Sequence, residues 1–145
     1  MDVQTLNHSK VDIAESIYEV MQASYTLEAK LLNIRDFPPL KKTAPQIQTD
    51  NGTYFGIYSK SELVGCLHME KCNISSLVVS PAYHRRGLAR ELIKWVLSNT
   101  SASEITVSTA KGNLPANALY SNLGFRVFSQ SVRSNIPLVH YAKQL

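Results

Sequence analysis

A strand, a turn, a helix and a second strand follow one another between residues 74 and 109. Residues 74–80 end in an apolar run, residues 88–98 carry an apolar stripe at helical spacing, and residues 105–109 alternate as a strand does. Two strands joined through a helix are predicted to be parallel, because only a long crossover can return the chain to the same end of a sheet. This segment therefore predicts a sheet with helices packed on it.

The chain before this crossover is predicted to hold a weak strand, two helices and a hairpin. Apolar residues recur at helical spacing from Val11 to Met21, and a second short helix is predicted from Ser24 to Asn33. The prolines of Phe37-Pro38-Pro39-Leu40 stop that helix, so residues 36–50 are predicted to be an irregular surface loop. The predicted strands are Val3–Leu6 and the hairpin pair Thr53–Tyr58 and Leu63–Met69.

After the crossover the pattern predicts one more helix and two strands. Asn113 is a good N-cap for a helix that Gly124 ends, and residues 125–128 and 138–142 are predicted as strands. The predicted fold class is mixed α/β, a mostly antiparallel twisted sheet of six or seven strands with about four helices.

Composition excludes several classes of protein. The 145 residues suit a single domain, 1–145, and a net charge of +4 permits a polyanionic partner without requiring nucleic acid. Two cysteines, Cys66 and Cys72, are too few for a disulfide framework or a four-cysteine zinc site, and the four histidines lack metal-ligand spacing. With no signal-like or membrane-spanning stretch, a cytoplasmic protein without metal, nucleic-acid or membrane partner is expected.

The turn between residues 80 and 89 is the first candidate functional segment. It opens a helix, whose unpaired backbone N–H groups and positive dipole end attract anions such as phosphate. Gly87 and Ala89 allow a ligand to approach the backbone, and Arg85, Arg86 and Arg90 add positive charge. A plain strand-to-helix turn with solvated arginines would give the same local pattern.

Two motifs resemble those of the Gcn5-related N-acetyltransferase (GNAT) family. His84-Arg85-Arg86-Gly87-Leu88-Ala89 is similar to its motif A, Gln/Arg-x-x-Gly-x-Gly/Ala, with His84 in place of the usual first residue. The segment from Asn113 through Leu119-Tyr120 to Gly124-Phe125 resembles its motif B. The resemblance covers about residues 53–130 well and the N-terminal helices by element order only.

The resemblance implies transfer of an acetyl group from acetyl-CoA to a primary amine by direct attack through a tetrahedral intermediate. It implies splayed central strands that hold the pantetheine, with a backbone N–H of Leu77 or Val78 facing the thioester oxygen. The pyrophosphate is expected on the amides of residues 85–90. The implied cofactor-binding residues are Leu77, Val78, Val79, His84, Arg85, Arg86, Gly87, Leu88, Ala89, Arg90 and Asn113.

The same resemblance places Tyr120 at the family's general-acid position, where a phenol could give its proton to the leaving thiolate. Spacing alone makes Tyr120 a core aromatic on a helix stripe. For the general base, Glu70 at the end of the second hairpin strand is the first candidate and His68 the second, while Glu28 is a candidate acceptor-site residue. The catalytic pair is thus predicted to be Tyr120 and Glu70.

Two other functions remain open from sequence. The fold could serve as a non-catalytic acyl-CoA-binding or regulatory module, as the absence of a clear base would suggest. Residues 11–33 could form a helix-turn-helix that binds DNA, although the turn lacks glycine and the rest of the chain would be unexplained. Within the leading hypothesis, an acyltransferase (EC 2.3.1.-), the amine acceptor is a small molecule or a protein amine, and a homodimer is possible.

Overall fold

The two crossover strands lie side by side at the centre of a seven-stranded sheet in the computed structural model, which describes residues 2–145. Strands β4 (Asn73–Val79) and β5 (Glu104–Ala110) are parallel, and every other neighbouring pair is antiparallel. The other strands are β1 (Val3–Leu6), β2 (Thr53–Ser59), β3 (Glu62–Glu70), β6 (Arg126–Arg133) and β7 (Ile136–Gln144), in the order β1-β2-β3-β4-β5-β7-β6. The predicted fold class is confirmed.

Four α-helices cover the two faces of this sheet: α1 (Val11–Leu31), α2 (Ala44–Thr49), α3 (Leu88–Asn99) and α4 (Leu114–Asn122). Helices α1 and α2 bury Ile17 and Ile47 against Tyr54 on one face. Helix α3 buries Leu92 and Ile93 in the cluster on the other face. Because both faces of the central strands are covered, β3 is buried from its second residue to its eighth. No helix among residues 2–145 combines the length and apolar character needed to cross a membrane.

The prediction of two N-terminal helices was wrong, because α1 runs unbroken from Val11 to Leu31. The interval from Met21 to Tyr25 contains no glycine or proline, and Tyr25 and Ala29 continue the face that Ala14 and Ile17 begin. Tertiary burial along this face outweighs the weaker helix propensity of the serine, tyrosine and threonine at residues 24–26.

The prediction of an irregular loop over residues 36–50 was also wrong. Residues Pro38–Lys41 form a 3-10 turn, and α2 follows with proline in its first turn. The Thr43 hydroxyl accepts from the backbone N–H of Gln46 at 3.3 Å, and the Gln46 side chain accepts from the Thr43 N–H at 2.9 Å. Both the capping box and the tolerance of proline in the first turn of a helix predict α2. The interpretation of these prolines as helix breakers alone led to the error.

The last two strands are longer than the predicted residues 125–128 and 138–142. All eight residues of β6 are exposed, so this edge strand has no buried face and no alternation for a sequence pattern to reveal. Elsewhere the local predictions hold: Asn113 caps α4 through its side chain, and Gly124 follows the helix with φ +89°. Only the strand ends were misjudged in this region.

Candidate active site

The two parallel strands at the sheet centre separate after two residue pairs. Asn73 lies opposite Thr106 and Ile74 opposite Val107, and no further β4–β5 pairs follow. On the other side of β4, the register slips by one residue, so Ser75 has no counterpart on β3. A bulge of this kind bends its strand. The remainder of β4 therefore borders a gap instead of a neighbouring strand.

The pairing of β4 with β3 decides which amides face this gap. The Ser80 N–H donates to the Val64 carbonyl at 2.8 Å. Because hydrogen-bonded and non-hydrogen-bonded pairs alternate in an antiparallel ladder, the Val78–Cys66 pair is hydrogen-bonded as well. The N–H groups of Leu77 and Val79 then point away from β3 and into the gap. The amide of Val78 points toward β3, so of the two sequence candidates Leu77 is the one with a free donor here.

Side chains within the turn after β4 stabilise its conformation. The His84 ring nitrogen Nε2 lies 2.8 Å from the Val79 carbonyl oxygen, and because a carbonyl only accepts, that nitrogen carries the hydrogen. The Arg86 guanidinium lies 4.9 Å from the centre of the Tyr83 ring. Arg85 and Gly87 adopt left-handed φ angles of +63° and +78°, immediately before α3. The backbone at this helix opening is therefore exposed for an anion.

A cavity of about 810 Å³, here called the cofactor cavity, lies between this turn and the C-terminal half of α1. Among the predicted cofactor-binding residues, those that line it are Leu77, Val79, His84, Arg85, Gly87, Leu88, Ala89, Arg90 and Asn113. Val78 and Arg86 do not line it: the Val78 side chain packs in the core cluster under α1, and Arg86 stacks on Tyr83. The size and positive rim suit a phosphorylated cofactor with an elongated arm.

Two residues of α1 that line this cavity, Leu27 and Leu31, were not among the predicted site residues. Leu27 and Leu31 are 44% and 58% exposed, and both line the cofactor cavity. Two large apolar side chains one turn apart on an otherwise polar helix face are the signal that could have identified them. They offer an apolar contact opposite the charged turn.

A second cavity of about 530 Å³, here called the acceptor cavity, opens on the other side of the gap. Its wall contains Phe37 and, from the 3-10 turn that follows it, Pro38 and Pro39, none of which reaches the cofactor cavity. Five residues line both cavities: Glu28, Leu77, Asn113, Ala116 and Tyr120. These five mark the junction where two bound molecules would meet.

Tyr120 is the aromatic residue at this junction. Its side chain is 4% exposed and packs against the rings of Phe125 and Tyr141, each with ring centres 5.7 Å away. Burial raises the pKa of the Tyr120 hydroxyl above its ordinary value, and the charges of Glu28 and Tyr141 raise it further. The phenol is therefore protonated at neutral pH and able to donate.

Glu28 and Asn113 connect α1 with the start of α4 at the same junction. The Asn113 oxygen accepts from the Ala116 N–H at 3.2 Å, which leaves its NH₂ group for the Glu28 carboxylate. Burial raises the pKa of the Glu28 carboxyl, and the hydrogen bond from Asn113 lowers it in part. Titratable groups whose pKa is shifted by burial occur often in functional clefts, so Glu28 is a candidate functional residue.

We expect Glu28→Gln to raise the melting temperature at neutral pH and to change it little in acid. The pKa of Glu28 is raised in the folded state, so the fold favours its protonated carboxyl. The resulting stabilisation is fully present below the ordinary pKa of 4.5 and is lost as the pH rises through the folded-state pKa. Glutamine stays neutral throughout. Thermal melts from about pH 4 to pH 8 test this, with the exposed Glu19 of the same helix as the Gln control. An equal shift at all pH values would contradict it.

The two candidate bases both line the acceptor cavity but differ in their surroundings. Glu70 is exposed at the end of β3. His68 is 2% exposed, its Nε2–H donates to the Asn51 carbonyl at 2.7 Å, and its ring stacks on Tyr54 at 4.1 Å. Tyr54 in turn donates to the Asp50 carboxylate at 2.6 Å. These contacts fix the orientation of the His68 ring. In the neutral ring, Nδ1 is then the nitrogen that can accept a proton.

The cysteines lie apart from this chemistry. Cys66 is buried under α1, and burial raises the pKa of its thiol to about 12, so no thiolate is available there at neutral pH. Cys72 is exposed in the turn between β3 and β4. Neither lines the cofactor cavity or the acceptor cavity. A covalent acyl-cysteine intermediate has no support from this arrangement.

Comparison with known proteins identifies the family. Residues 22–145 match the family model described as an acetyltransferase (GNAT) domain, so the chain belongs to the GNAT acetyltransferase family. One curated relative, the UPF0157 protein YqkA of Bacillus subtilis (strain 168), is 31% identical in an alignment of 129 residues that covers 86% of this chain. The chain spans only 38% of that relative's length.

Solved structures share the fold at low sequence identity. A GCN5-related N-acetyltransferase from Rhodopseudomonas palustris has a TM-score of 0.80 at 13% identity, with 99% of this chain and 95% of that chain covered. The ribosomal-protein-S18-alanine N-acetyltransferase of Escherichia coli has a TM-score of 0.76 at 15% identity, covering 99% and 92%. The PaiA N-acetyltransferase of Thermoplasma acidophilum, solved with coenzyme A, has 0.74 at 14%, with both chains fully covered.

Proposed function

We propose that this protein is an acetyl-CoA-dependent N-acetyltransferase that acts on a primary amine. The observation that carries the proposal is the junction: a cofactor-sized cavity at an open helix N-terminus meets a second cavity at Tyr120, beside a strand with free amides. Membership of the GNAT family and the coenzyme A complex of a neighbour with the same fold support the choice of donor.

In this proposal acetyl-CoA is the donor substrate, and the turn before α3 binds its pyrophosphate. The amides of residues 85–90 and the guanidinium groups of Arg85 and Arg90 meet the phosphates. The free amides of Leu77 and Val79 bind the pantetheine arm in the gap beside β4. His84 holds the turn through Val79, so its substitution for the family's usual first residue is accommodated.

The acetyl group moves in one direct attack. The amine nitrogen forms a bond to the thioester carbonyl carbon, and the resulting oxyanion accepts a hydrogen bond from the Leu77 N–H. The carbon–sulfur bond then breaks, and Tyr120 donates its proton to the departing thiolate. Glu70 receives the amine's proton through the solvent of the acceptor cavity, since its carboxylate is exposed there. The products are the N-acetylated amine and coenzyme A.

Release of thiol from acetyl-CoA in the presence of a panel of primary amines tests this function. Amine-dependent thiol release, with the acetylated amine detected by mass, would support it. Tight coenzyme A binding without transfer to any amine would instead favour the acyl-CoA-binding module. Coenzyme A binding is measured separately by calorimetry, so the two outcomes are distinguishable.

The 3-10 turn is predicted to act on the acceptor side. We expect the double variant Pro38→Gly, Pro39→Gly to raise the KM for the amine by about 3- to 10-fold and to leave the KM for acetyl-CoA unchanged, because a loosened loop must be ordered on binding. Steady-state kinetics with each substrate varied measure this. Pro45→Ala in α2, outside both cavities, is the control. A change confined to the KM of acetyl-CoA would contradict the placement.

A further inference from the structure

The acceptor cavity carries charges of both signs. Glu28 and Glu70 are acidic, and Lys42 and Arg133 are basic. Glu28 also lines the cofactor cavity, whereas Arg133 lines only the acceptor cavity. A polycationic amine would need a uniformly acidic wall, and this wall is not uniformly acidic. The guanidinium of Arg133 would repel a second ammonium group on the acceptor.

The two basic groups differ in their availability. The Lys42 ammonium lies 2.6 Å from the Asp50 carboxylate, which also accepts the hydrogen bond from Tyr54. Arg133 forms no salt bridge and no side-chain hydrogen bond with any of residues 2–145. Its five N–H donors are free for a ligand.

Arg133 is nevertheless attached to a fixed part of the wall. It is the last residue of β6 and pairs with Ile136 at the start of β7. Ile136 is buried in a small core cluster with Phe37, and the Lys111 N–H donates to the Pro137 carbonyl at 2.8 Å. The hairpin end is therefore anchored to both the 3-10 turn and the chain before α4, and the guanidinium starts from a constrained backbone position.

The rest of the wall is mixed, with the hydroxyls of Ser75, Ser108 and Thr109 beside apolar side chains. The apolar lining residues include Met21, Phe37, Pro39, Ile74, Ile136 and Leu138. A cavity of about 530 Å³ suits a small molecule rather than a folded protein surface. Its occupant needs a chain that reaches from the junction, where the amine reacts, to the guanidinium on the wall.

We propose that the acceptor is a small primary amine that carries an anionic group at the far end of its chain, and that Arg133 binds this anionic group. This inference rests on the proposed N-acetyltransferase function. A guanidinium recognises a carboxylate or a phosphate-type group with two parallel hydrogen bonds, so the shared chemistry is a planar or tetrahedral oxyanion. Arg133 is thus a specificity-determining residue.

The test compares four acceptors of the same chain: 6-aminohexanoate, 6-aminohexanamide, pentylamine, and 5-aminopentylphosphonate, in which a phosphonate replaces the carboxylate of 6-aminohexanoate. We expect the anionic pair to exceed the other two in kcat/KM by about 10- to 100-fold, the range of a hydrogen bond to a charged group. The anion with the larger gain identifies which of the two sources the site prefers.

Variants assign that preference to Arg133. Arg133→Gln is expected to bring kcat/KM for the two anionic acceptors down to that for pentylamine, and Arg133→Lys to restore part of the preference. Arg126→Gln is the matched control, because Arg126 is an exposed arginine of the same strand that lies outside the acceptor cavity.

The outcomes separate the two proposals. Equal kcat/KM for acceptors with and without the anionic group, or a preference that remains in Arg133→Gln, would overturn the inference. Neither result would affect the proposed N-acetyltransferase function. If no primary amine is acetylated although calorimetry shows coenzyme A bound, the proposed function fails and the inference fails with it.

Discussion

Replacing Tyr120 by phenylalanine is expected to lower kcat by about 10²–10⁴-fold, the usual contribution of a positioned acid–base group. The substitution removes one hydroxyl and keeps the ring that packs on Phe125 and Tyr141, so the fold survives. Affinity for acetyl-CoA is expected to change little, because in the proposed complex the phosphates and the pantetheine arm meet backbone amides and arginines elsewhere. Pre-steady-state and steady-state thiol release measure the effect.

Two controls separate proton donation from packing. Tyr141→Phe removes a hydroxyl from a neighbouring ring. That hydroxyl donates to Asn117 and lines neither cavity, so the kcat of this variant is expected to stay near wild type. The loss in Tyr120→Phe is expected to shrink for a thioester whose leaving thiol is more acidic, because that thiolate needs less protonation. An unchanged kcat, with chemistry rate-limiting, would make solvent the proton source.

Gly87→Glu is expected to weaken coenzyme A binding by about 100-fold, which corresponds to about 3 kcal/mol of lost phosphate contacts and added repulsion. A Cβ at Gly87 would meet nothing within 4 Å, so the new side chain extends into the cofactor cavity. Its carboxylate then occupies the helix opening where the phosphates would bind. Isothermal calorimetry with coenzyme A measures the loss.

Gly87→Ala is the matched control for this variant. Gly87 has a left-handed φ of +78°, which any other residue adopts at a cost of about 1–2 kcal/mol. Both variants therefore pay the same backbone strain, visible as equal shifts in melting temperature, but only the glutamate adds charge. If Gly87→Ala weakened coenzyme A binding as much as Gly87→Glu, backbone distortion and not phosphate recognition would explain the effect.

Much of the fold could be read from local patterns. The crossover from β4 through α3 to β5 follows from an apolar run, an amphipathic helix and an alternating strand, each of which reports burial on one face. The cap of α4 at Asn113 and its end at Gly124 follow from backbone chemistry that operates within a few residues. Such features depend on neighbours in sequence, so sequence predicts them.

Two of the errors lie where a sequence pattern of burial does not report the structure. The continuous α1 depends on burial of Tyr25 and Ala29 against parts of the chain remote in sequence. The exposed strand β6 has no burial pattern of its own, and it forms by pairing with β7 across the two-residue turn at Ser134 and Asn135. In the first case long-range packing supplies the free energy that local propensity lacks, and in the second the hydrogen bonds of the hairpin do so.

The candidate site divides in the same way. Sequence motifs by themselves determined the turn with Gly87, the helix position of Tyr120 and the membership in one family, because each depends on residue type at a fixed short spacing. Only the tertiary structure decided that Leu77 rather than Val78 turns its amide into the gap, since the Ser75 bulge and the β3 pairing set that direction. It also decided that Glu28 reaches the junction and that Arg133 lines the acceptor cavity. The physical reason is that a cavity is formed by elements far apart in the chain, and no local pattern records which of their side chains meet.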